Sequence, residues 1–555
     1  MSNPKLSVWQ RFIGLIKLEK KDFLQILYYA IFAGLVNLSV PLGIQAIVNL
    51  IQGARITTSW IVLVTVVTLG VAFVGVLQLM QIRILENVQQ KIFTRASFEF
   101  AYRFPKIKMS QLKDFYPPEL ANRFFDVLTI QKGISKLVLD FPAAVLQIIF
   151  GLILLSLYHP FFILYGLLLV LLIFLVFKFT ARTGLNTSMD ESKMKYRIAH
   201  WIQEVARTLV SFKTSGRTNH AITKNDKLVT KYLDARESHF QILRLQFIQM
   251  IVFKVLVTAG LLIIGGLLVL NQQMNIGQFV AAEIIILLII SSVEKMIIGL
   301  ENLYDLLTSL EKLGEVVDKE LETQGGDKTF ADSTEFNVEL KNVSFTGFSK
   351  KVVLKDINLT IHPGDKILLE GPNGSGKSTL LKIIAGLIEP TSGKVYVNGI
   401  SLQNIDLNFY HSLLGQSLTE ESPFEGTLIE NITFGDKSIG QKEIYAALEK
   451  TGLTEFVRQQ PDGLETMIFP EGMQLPYTIA KKIVLARSLV RKPGLLILNE
   501  PLDQIDRKEQ SRIVDNLFAE DNPWSIIVTS QDEIWREKCN RHIVIVNGEI
   551  QNKSR

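Results

Sequence analysis

Nine consecutive residues, Gly371, Pro372, Asn373, Gly374, Ser375, Gly376, Lys377, Ser378 and Thr379, carry the spacing G-x-x-x-x-G-K-[ST]. Glycines at these positions let backbone N–H groups close around phosphate oxygens. The lysine that follows reaches the β- and γ-phosphates, and the next hydroxyl can ligate Mg²⁺. The chemistry is that of ATP with Mg²⁺. The flanks suit it: residues 366–370 (KILLE) read as a short buried strand, and 379–385 (TLLKIIA) continue as a helix.

The elements that position this loop belong to an α/β domain. Residues 338–345 alternate like a half-buried strand, and 353–361 continue the β signal up to the loop. Further apolar runs at 494–498, 525–529 and 542–546 read as buried strands, so the ligand is expected at strand C-terminal ends. Ahead of this domain lies a polar stretch, 322–335 (ETQGGDKTFADSTE), which reads as a linker. The expected division is therefore 1–321, a linker at 322–335, and a nucleotide domain at 336–555.

The first part is built for lipid. Hydrophobic residues make up 48% of the 555-residue chain, and six stretches (24–50, 60–82, 137–158, 161–179, 249–270 and 278–300) are apolar enough to span a bilayer as helices. Connections 51–59, 159–160 and 271–277 are short and hold only Arg55, whereas 83–136 and 180–248 are long and rich in Lys and Arg. The positive-inside rule places both long connections, and both ends of the chain, in the cytoplasm. Their apolar periodicity predicts that the span helices continue well past the membrane. Residues 7–18 (SVWQRFIGLIKL) read as an amphipathic helix lying in the interface. Six spans exclude a soluble P-loop enzyme. The lack of a basic tail or an aromatic-interleaved basic patch argues against nucleic acid. A single cysteine, Cys539, excludes an internal disulfide. No removable signal peptide is expected, and the stretch ahead of the first span leaves no room for a cysteine-protease leader-processing module.

Charges inside the spans are few, among them Asp140, Lys254, Glu283, Glu294 and Lys295. Such charges by default mark a cavity or a substrate path. Asp140, Lys254 and Lys295 lie within snorkelling reach of a span end, which leaves Glu283, five residues into its span, as the candidate for a pathway.

Six spans, two long cytoplasmic connections and a C-terminal P-loop domain resemble a half-transporter of the exporter type from the ABC transporter family, over essentially the whole chain. Residues 309–313 (SLEKL) resemble the segment leaving the sixth span in exporters of bacterial proteins and peptides, and 485–489 (LARSL) resemble the helix after the family signature. The resemblance implies a fold of six transmembrane helices with cytoplasmic extensions fused to an α/β P-loop NTPase. It implies ATP and Mg²⁺ as cofactors, a second ABC half-transporter as partner, and substrate movement by alternating access. It assigns Glu500 as general base, Asp506 to the D-loop, and Ser378, Gln416 and Asn499 to the metal. Phe348 falls one residue past the position, Gly347, of the aromatic that stacks on adenine.

Several positions depart from the family. Its LSGGQ signature falls on Leu475, Pro476, Tyr477, Thr478 and Ile479, where Pro476 lacks both hydroxyl and N–H and Tyr477 adds bulk where backbone approach is needed. The Walker B aspartate falls on Asn499, a weaker Mg²⁺ ligand, and the switch histidine on Ser530. Phosphoryl transfer depends on positioning and charge neutralisation, so these losses predict ATP binding with slow hydrolysis. A homodimer is favoured over a heterodimer. An ATP-sensing membrane regulator, a degenerate half of a heterodimer, and a type I secretion component with a periplasmic adaptor stay open as alternatives.

Overall fold

Apolar runs longer than any globular core needs shape the first half of the chain. The computed structural model describes residues 6–52, 58–322, 325–326, 336–347 and 351–551, apart from the side chains at 172, 175–177 and 179. Its first half is helical: α1 (Val8–Leu18), α2 (Lys20–Asn37), α3 (Ser39–Gln52), α4 (Thr58–Arg103), α5 (Pro117–Ala121), α6 (Asp126–Tyr158), α7 (Phe161–Arg207), α8 (Leu209–Thr214), α9 (His220–Leu270) and α10 (Ile276–Val317). Among the described residues five helical stretches are long and apolar enough to cross a membrane, where six were expected: Lys20–Gln52, Thr58–Lys106, Pro117–Tyr158, His220–Leu270 and Ile276–Val317. The other expected span, 161–179, opens α7, whose described apolar stretch is Phe161–Leu171. At 1.5 Å per residue, α7 and α9 each run about 70 Å, more than twice the hydrocarbon thickness. The helices therefore continue well beyond any bilayer.

α1 begins with a capping box in which Ser7 and Gln10 satisfy each other's backbone N–H groups. Its Arg11 pairs with Asp318 and Glu311 at the end of α10, and Phe12 and Leu15 pack against a core that includes Ile26, Val88 and Leu306. Trp9 and Ile13 stay half exposed. Only part of the apolar face expected to meet lipid is thus free to do so, because the rest is used in docking the helix. Deeper in the bundle, the Gln246 amide donates to Thr180 Oγ1 (2.8 Å) and Tyr304 Oη (2.9 Å), joining α9, α7 and α10. Gly184 makes this crossing possible, since a Cβ there would lie 2.5 Å from the Tyr304 ring. Lys254 on α9 and Glu294 on α10 neutralise each other at 2.8 Å, as intramembrane charges must.

The chain divides into two compact units, Met1–Pro105 with Phe115–Lys319, and Lys106–Asp114 with Glu320–Arg555. The short segment Lys106–Asp114, between α4 and α5 in sequence, belongs to the nucleotide unit. Lys108 N–H donates to the Glu320 carbonyl (3.0 Å), Glu322 N–H to the Lys106 carbonyl (2.8 Å), and the Lys108 ammonium meets Glu389 (3.1 Å). Of the linker expected at 322–335, only 322 and 325–326 are described.

The second unit holds β1 (Val338–Thr346), β2 (Val352–Ile361), β3 (Lys366–Glu370), β4 (Ser392–Val397), β5 (Ile400–Ser401), β6 (Leu414–Ser417), β7 (Gly426–Thr427), β8 (Met467–Ile468), β9 (Leu495–Asn499), β10 (Ser525–Thr529), β11 (Arg541–Val546) and β12 (Glu549–Gln551). β2-β1-β4-β5 form an antiparallel sheet. The order β12-β11-β3-β10-β9-β6 forms a second sheet, parallel except for β12. β9 and β10 are buried throughout, which is why their sequences are unbroken apolar runs rather than alternating ones. Parallel order brings the C-terminal ends of β3, β10, β9 and β6 to one edge, and the site is built there.

Candidate functional site

Between β3 and the helix α11 (Lys377–Ile384) runs the glycine-rich loop. Gly371, Gly374 and Gly376 have φ of 140°, 79° and 107°, a region closed to most side chains. Space is as restrictive as conformation: a Cβ on Gly371 would sit 2.1 Å from the Ile545 carbonyl oxygen, and one on Gly376 2.6 Å from Leu354. Lys377 folds its ammonium over the loop, donating to the carbonyls of Gly371 (2.7 Å) and Pro372 (3.1 Å). Ser375 is buried, and its Oγ has no hydrogen-bond partner. An unpartnered buried hydroxyl together with a lysine ammonium and a helix N-terminus is the donor set a triphosphate satisfies. ATP therefore fits. Pro372, Asn373 and Thr379 complete the loop as expected, whereas Phe348 lies outside the described residues.

The expected metal ligands are arranged differently. Asn499, at the end of β9, is 5% exposed. Its amide nitrogen donates to Ser378 Oγ (3.1 Å) and to Thr419 Oγ1 (2.6 Å), and its Oδ1 accepts from Thr529 Oγ1 (2.6 Å). Two of the residues expected to hold Mg²⁺ thus hydrogen-bond to each other through a neutral amide. Gln416 does not join them. It lies within β6, paired in register with Ile497, and β6 ends at Ser417. The loop position that reaches Ser378's neighbour is Thr419. The interval from Gln416 to Pro423-Phe424 is longer than the family's, in keeping with this place inside the strand. The set of Ser378, Thr419 and Asn499 carries no formal charge, while Mg²⁺ sites in phosphate enzymes use one or two carboxylates. These residues fit ATP but not a protein-held divalent cation.

Glu500 follows β9 in the left-handed region, φ 47°, with its N–H donating to the Thr529 carbonyl (3.0 Å). For a non-glycine residue this conformation costs of order 1–3 kcal/mol and is typical of functional sites. Burial, together with Asp503 and Asp532, pushes its carboxyl above the usual range, while Lys377 and Lys481 pull it down. Ser530, one residue past β10, accepts from Asp532 N–H (3.2 Å). Asp506 caps helix Arg507–Leu517 by accepting from Lys508 N–H (3.2 Å).

The signature positions form the N-terminus of helix Tyr477–Leu489, with Pro476 as its N-cap. Pro476 makes no side-chain cap. The Tyr477 hydroxyl instead donates to Asp503 Oδ2 (2.8 Å), and Lys481 stands 3.9 Å from the other oxygen. Burial and then the Asp503 bond push the phenol up to about 12. This helix end, which should be open to an anion, is covered by a phenol tied to a carboxylate. The pair is separated by 26 residues, so no local pattern announces it. Farther along the helix, Arg487 donates to the Asn431 carbonyl (2.7 Å) and packs on Phe434. That anchors the short helix Leu428–Thr433 to it.

Residues 354–503 match the family model described as ABC transporter, and residues 23–293 the one described as ABC transporter transmembrane region. The chain is 28% identical over 306 residues to the alpha-hemolysin translocation ATP-binding protein HlyB of Escherichia coli O157:H7, covering 55% of this chain and 43% of that one. It is 24% identical over 565 residues to the lactococcin-A transport/processing ATP-binding protein LcnC of Lactococcus lactis subsp. lactis, covering 99% and 76%. The chain spans about half the length of the first curated relatives it matches. Among solved structures, a bacterial Atm1-family ABC exporter with ATP bound shares the fold, with a TM-score of 0.85 at 15% identity over 97% of this chain and 95% of that one.

Proposed function

The chain belongs to the ABC transporter family, and from that premise we propose that it is an ATP-binding exporter subunit whose hydrolysis is slow. The observation that carries the reading is the contrast within one sheet edge. The loop that would hold the α- and β-phosphates has its donors in place, Lys377 and Ser375 above all. The strand ends that would handle the γ-phosphate carry Asn499, Thr419 and Ser530 instead of charged or imidazole groups. Glu500 is the general base in this reading, and burial with Asp503 and Asp532 nearby raises its pKa above the usual carboxylate range.

We place the chain in the cytoplasmic membrane with both long connections on the cytoplasmic side, where ATP is available. Two copies would pair so that each glycine-rich loop faces the helix Tyr477–Leu489 of the other. Closure on ATP would then drive alternating access. Relatives named for alpha-hemolysin translocation and lactococcin-A transport/processing support a polypeptide cargo, with or without a periplasmic adaptor, as the leading class. A second reading has a specific observation behind it: with Tyr477 held on Asp503, the chain would serve as the degenerate half of a heterodimer or as an ATP-gated regulator.

Proteoliposomes separate these readings. ATP-dependent accumulation of a peptide that stops with a non-hydrolysable analogue supports the exporter. Nucleotide-induced conformational change without accumulation, in the chain alone, supports the regulator. Accumulation that appears only when a second half-transporter is added supports the heterodimer.

A further inference from the structure

A cavity of about 270 Å³ opens inside the membrane unit, between α2, α3, α4, α6 and α10. Its lining is unusual for a bundle in lipid, because four of these helices turn polar groups toward it. Asn37 comes from α2, Gln78 and Gln81 from α4, Gln147 from α6, and Ser291 and Lys295 from α10. The spacing is helical, Gln78 with Gln81 and Ser291 with Lys295, so each set shares one face of its helix. Amides and ammonium groups in hydrocarbon are costly and persist where they meet each other, water or a ligand. Gln81 and Gln147 are partly engaged, through the Ile26 carbonyl (3.2 Å) and the Ser292 hydroxyl (3.1 Å).

Lys295 is the one charged group among the described residues that line the cavity. Its sequence neighbour Glu294 is taken by Lys254 at 2.8 Å. Glu283, the sequence candidate for a pathway, is not among the lining residues. Twelve residues along a helix place it about 120° around α10 from Lys295. Lys295, expected to lie within snorkelling reach of a span end, is exposed and stands in the cavity wall.

Building on the exporter reading, we propose that this cavity binds the carboxylate end of an extended peptide segment, with Lys295 meeting the carboxylate and the amides of Asn37, Gln78, Gln81 and Gln147 meeting the peptide groups. Primary amides offer both N–H donors and a carbonyl acceptor, as a peptide bond does with its single N–H, and so pair with a backbone regardless of its side chains. No carboxylate and no aromatic ring is among the described lining residues, so the cavity has nothing to attract a cationic ligand. Its volume is at the lower end for ligand pockets, enough for a few small residues and too little for a diacyl lipid.

The test uses the full chain in phosphatidylcholine nanodiscs and a radiolabelled, N-acetylated tetrapeptide of glycine and alanine, as the free acid and as the C-terminal amide. The acid is expected to bind saturably, with affinity falling about tenfold in Lys295→Gln, the size of one charge-assisted contact, and staying within about threefold in Lys295→Arg. The amide form binds weakly and equally in all three. Gln78→Leu, which leaves the charge intact, weakens acid and amide alike. Equal binding of the acid to wild type and Lys295→Gln overturns the proposal, as does Gln78→Leu binding both forms as wild type does. Absence of saturable peptide binding together with Lys295-dependent binding of phosphatidic acid doped into the discs overturns it in favour of a lipid phosphate. Lys295-dependent binding without ATP-driven peptide transport leaves the site standing and removes the exporter reading. Transport that is unchanged in Lys295→Gln does the reverse.

Discussion

Replacing Asn499 by aspartate asks whether the neutral cluster at the end of β9 sets the metal dependence of nucleotide binding. The amide lies 3.1 Å from Ser378 Oγ and 2.6 Å from both Thr419 Oγ1 and Thr529 Oγ1. All three hydroxyls can turn to donate, so a carboxylate would be accepted there without an orphaned partner. Without metal, however, it would be a buried charge (5% exposed) next to Glu500 and a triphosphate, and a loss of about 1–3 kcal/mol in stability is expected even with those donors. With Mg²⁺ the sign reverses. A contact to a charged group contributes about 1.5–3 kcal/mol against about 0.5–1.5 for a neutral one. The gain of roughly 1–2 kcal/mol is about 5–30-fold in affinity. The assay is ATP affinity by calorimetry on the full chain, in Mg²⁺ and in EDTA, read as the ratio of the two dissociation constants. Wild type should give a ratio within about threefold of unity, and Asn499→Asp a ratio of about ten or more, from tighter binding in Mg²⁺ and weaker binding in EDTA. A wild-type ratio already above about thirty, or a ratio that Asn499→Asp leaves unchanged, would refute the reasoning.

Pro476→Ser combined with Tyr477→Gly uncovers the end of helix Tyr477–Leu489 by removing the phenol bound to Asp503 and restoring a capping hydroxyl. Phosphate release should rise by about tenfold, and an unchanged rate would show that this helix end does not limit turnover. Gly371→Ala places a methyl 2.1 Å from the Ile545 carbonyl at φ 140°; ATP binding should fall at least about a hundredfold, as measured by calorimetry. Burial pushes the Glu421 carboxyl up to about 7, so between roughly pH 4.5 and 7 the folded chain keeps a proton that the unfolded chain has already released. Stability from this group is intact below that window and declines through it as pH rises. Glu421→Gln should therefore narrow the difference in melting temperature between pH 5.5 and pH 8, and a difference as wide as that of wild type would count against it.

What could be read along the chain was what its own neighbours determine. The loop at 371–379 and strands β3, β9 and β10 are contiguous patterns, and their conformations follow from glycine at positive φ and from burial on both faces. Thr419 was not legible as a site residue. Its role depends on β6 lying beside β9 in a register that ends β6 at Ser417, and register is a long-range property. The same holds for the bond from Tyr477 to Asp503 and for the four helix faces that meet around the cavity beside Lys295. That Lys295 lines this cavity was likewise not legible, because distance from a span end does not tell which neighbours a side chain faces. Segment Lys106–Asp114 is short, polar and without periodicity, so nothing in its composition announced that it belongs with the nucleotide unit.

Slow hydrolysis does not by itself disable an exporter; it changes which step limits the cycle. A ligand moves a conformational equilibrium only by its differential affinity for the two states, and at a hundred times its dissociation constant ATP can contribute about 2.7 kcal/mol. The groups that bind the triphosphate, Lys377, Ser375 and the loop N–H groups, are those whose geometry is preserved. On the proposed reading, closure follows ATP binding, and resetting is the step that Asn499, Thr419 and Ser530 would delay. In the homodimer we propose, both sites would carry the same delay, and the pair would cycle slowly but symmetrically. An intact partner would not remove it, because each composite site would still take either Asn499 from this chain's β9 or the covered helix end at Tyr477. Single-turnover measurements distinguish the steps: a burst of closure on ATP followed by slow phosphate release locates the delay after binding. Slow closure would instead place it in the membrane unit, and the degeneracy of the strand ends would then be irrelevant to the rate.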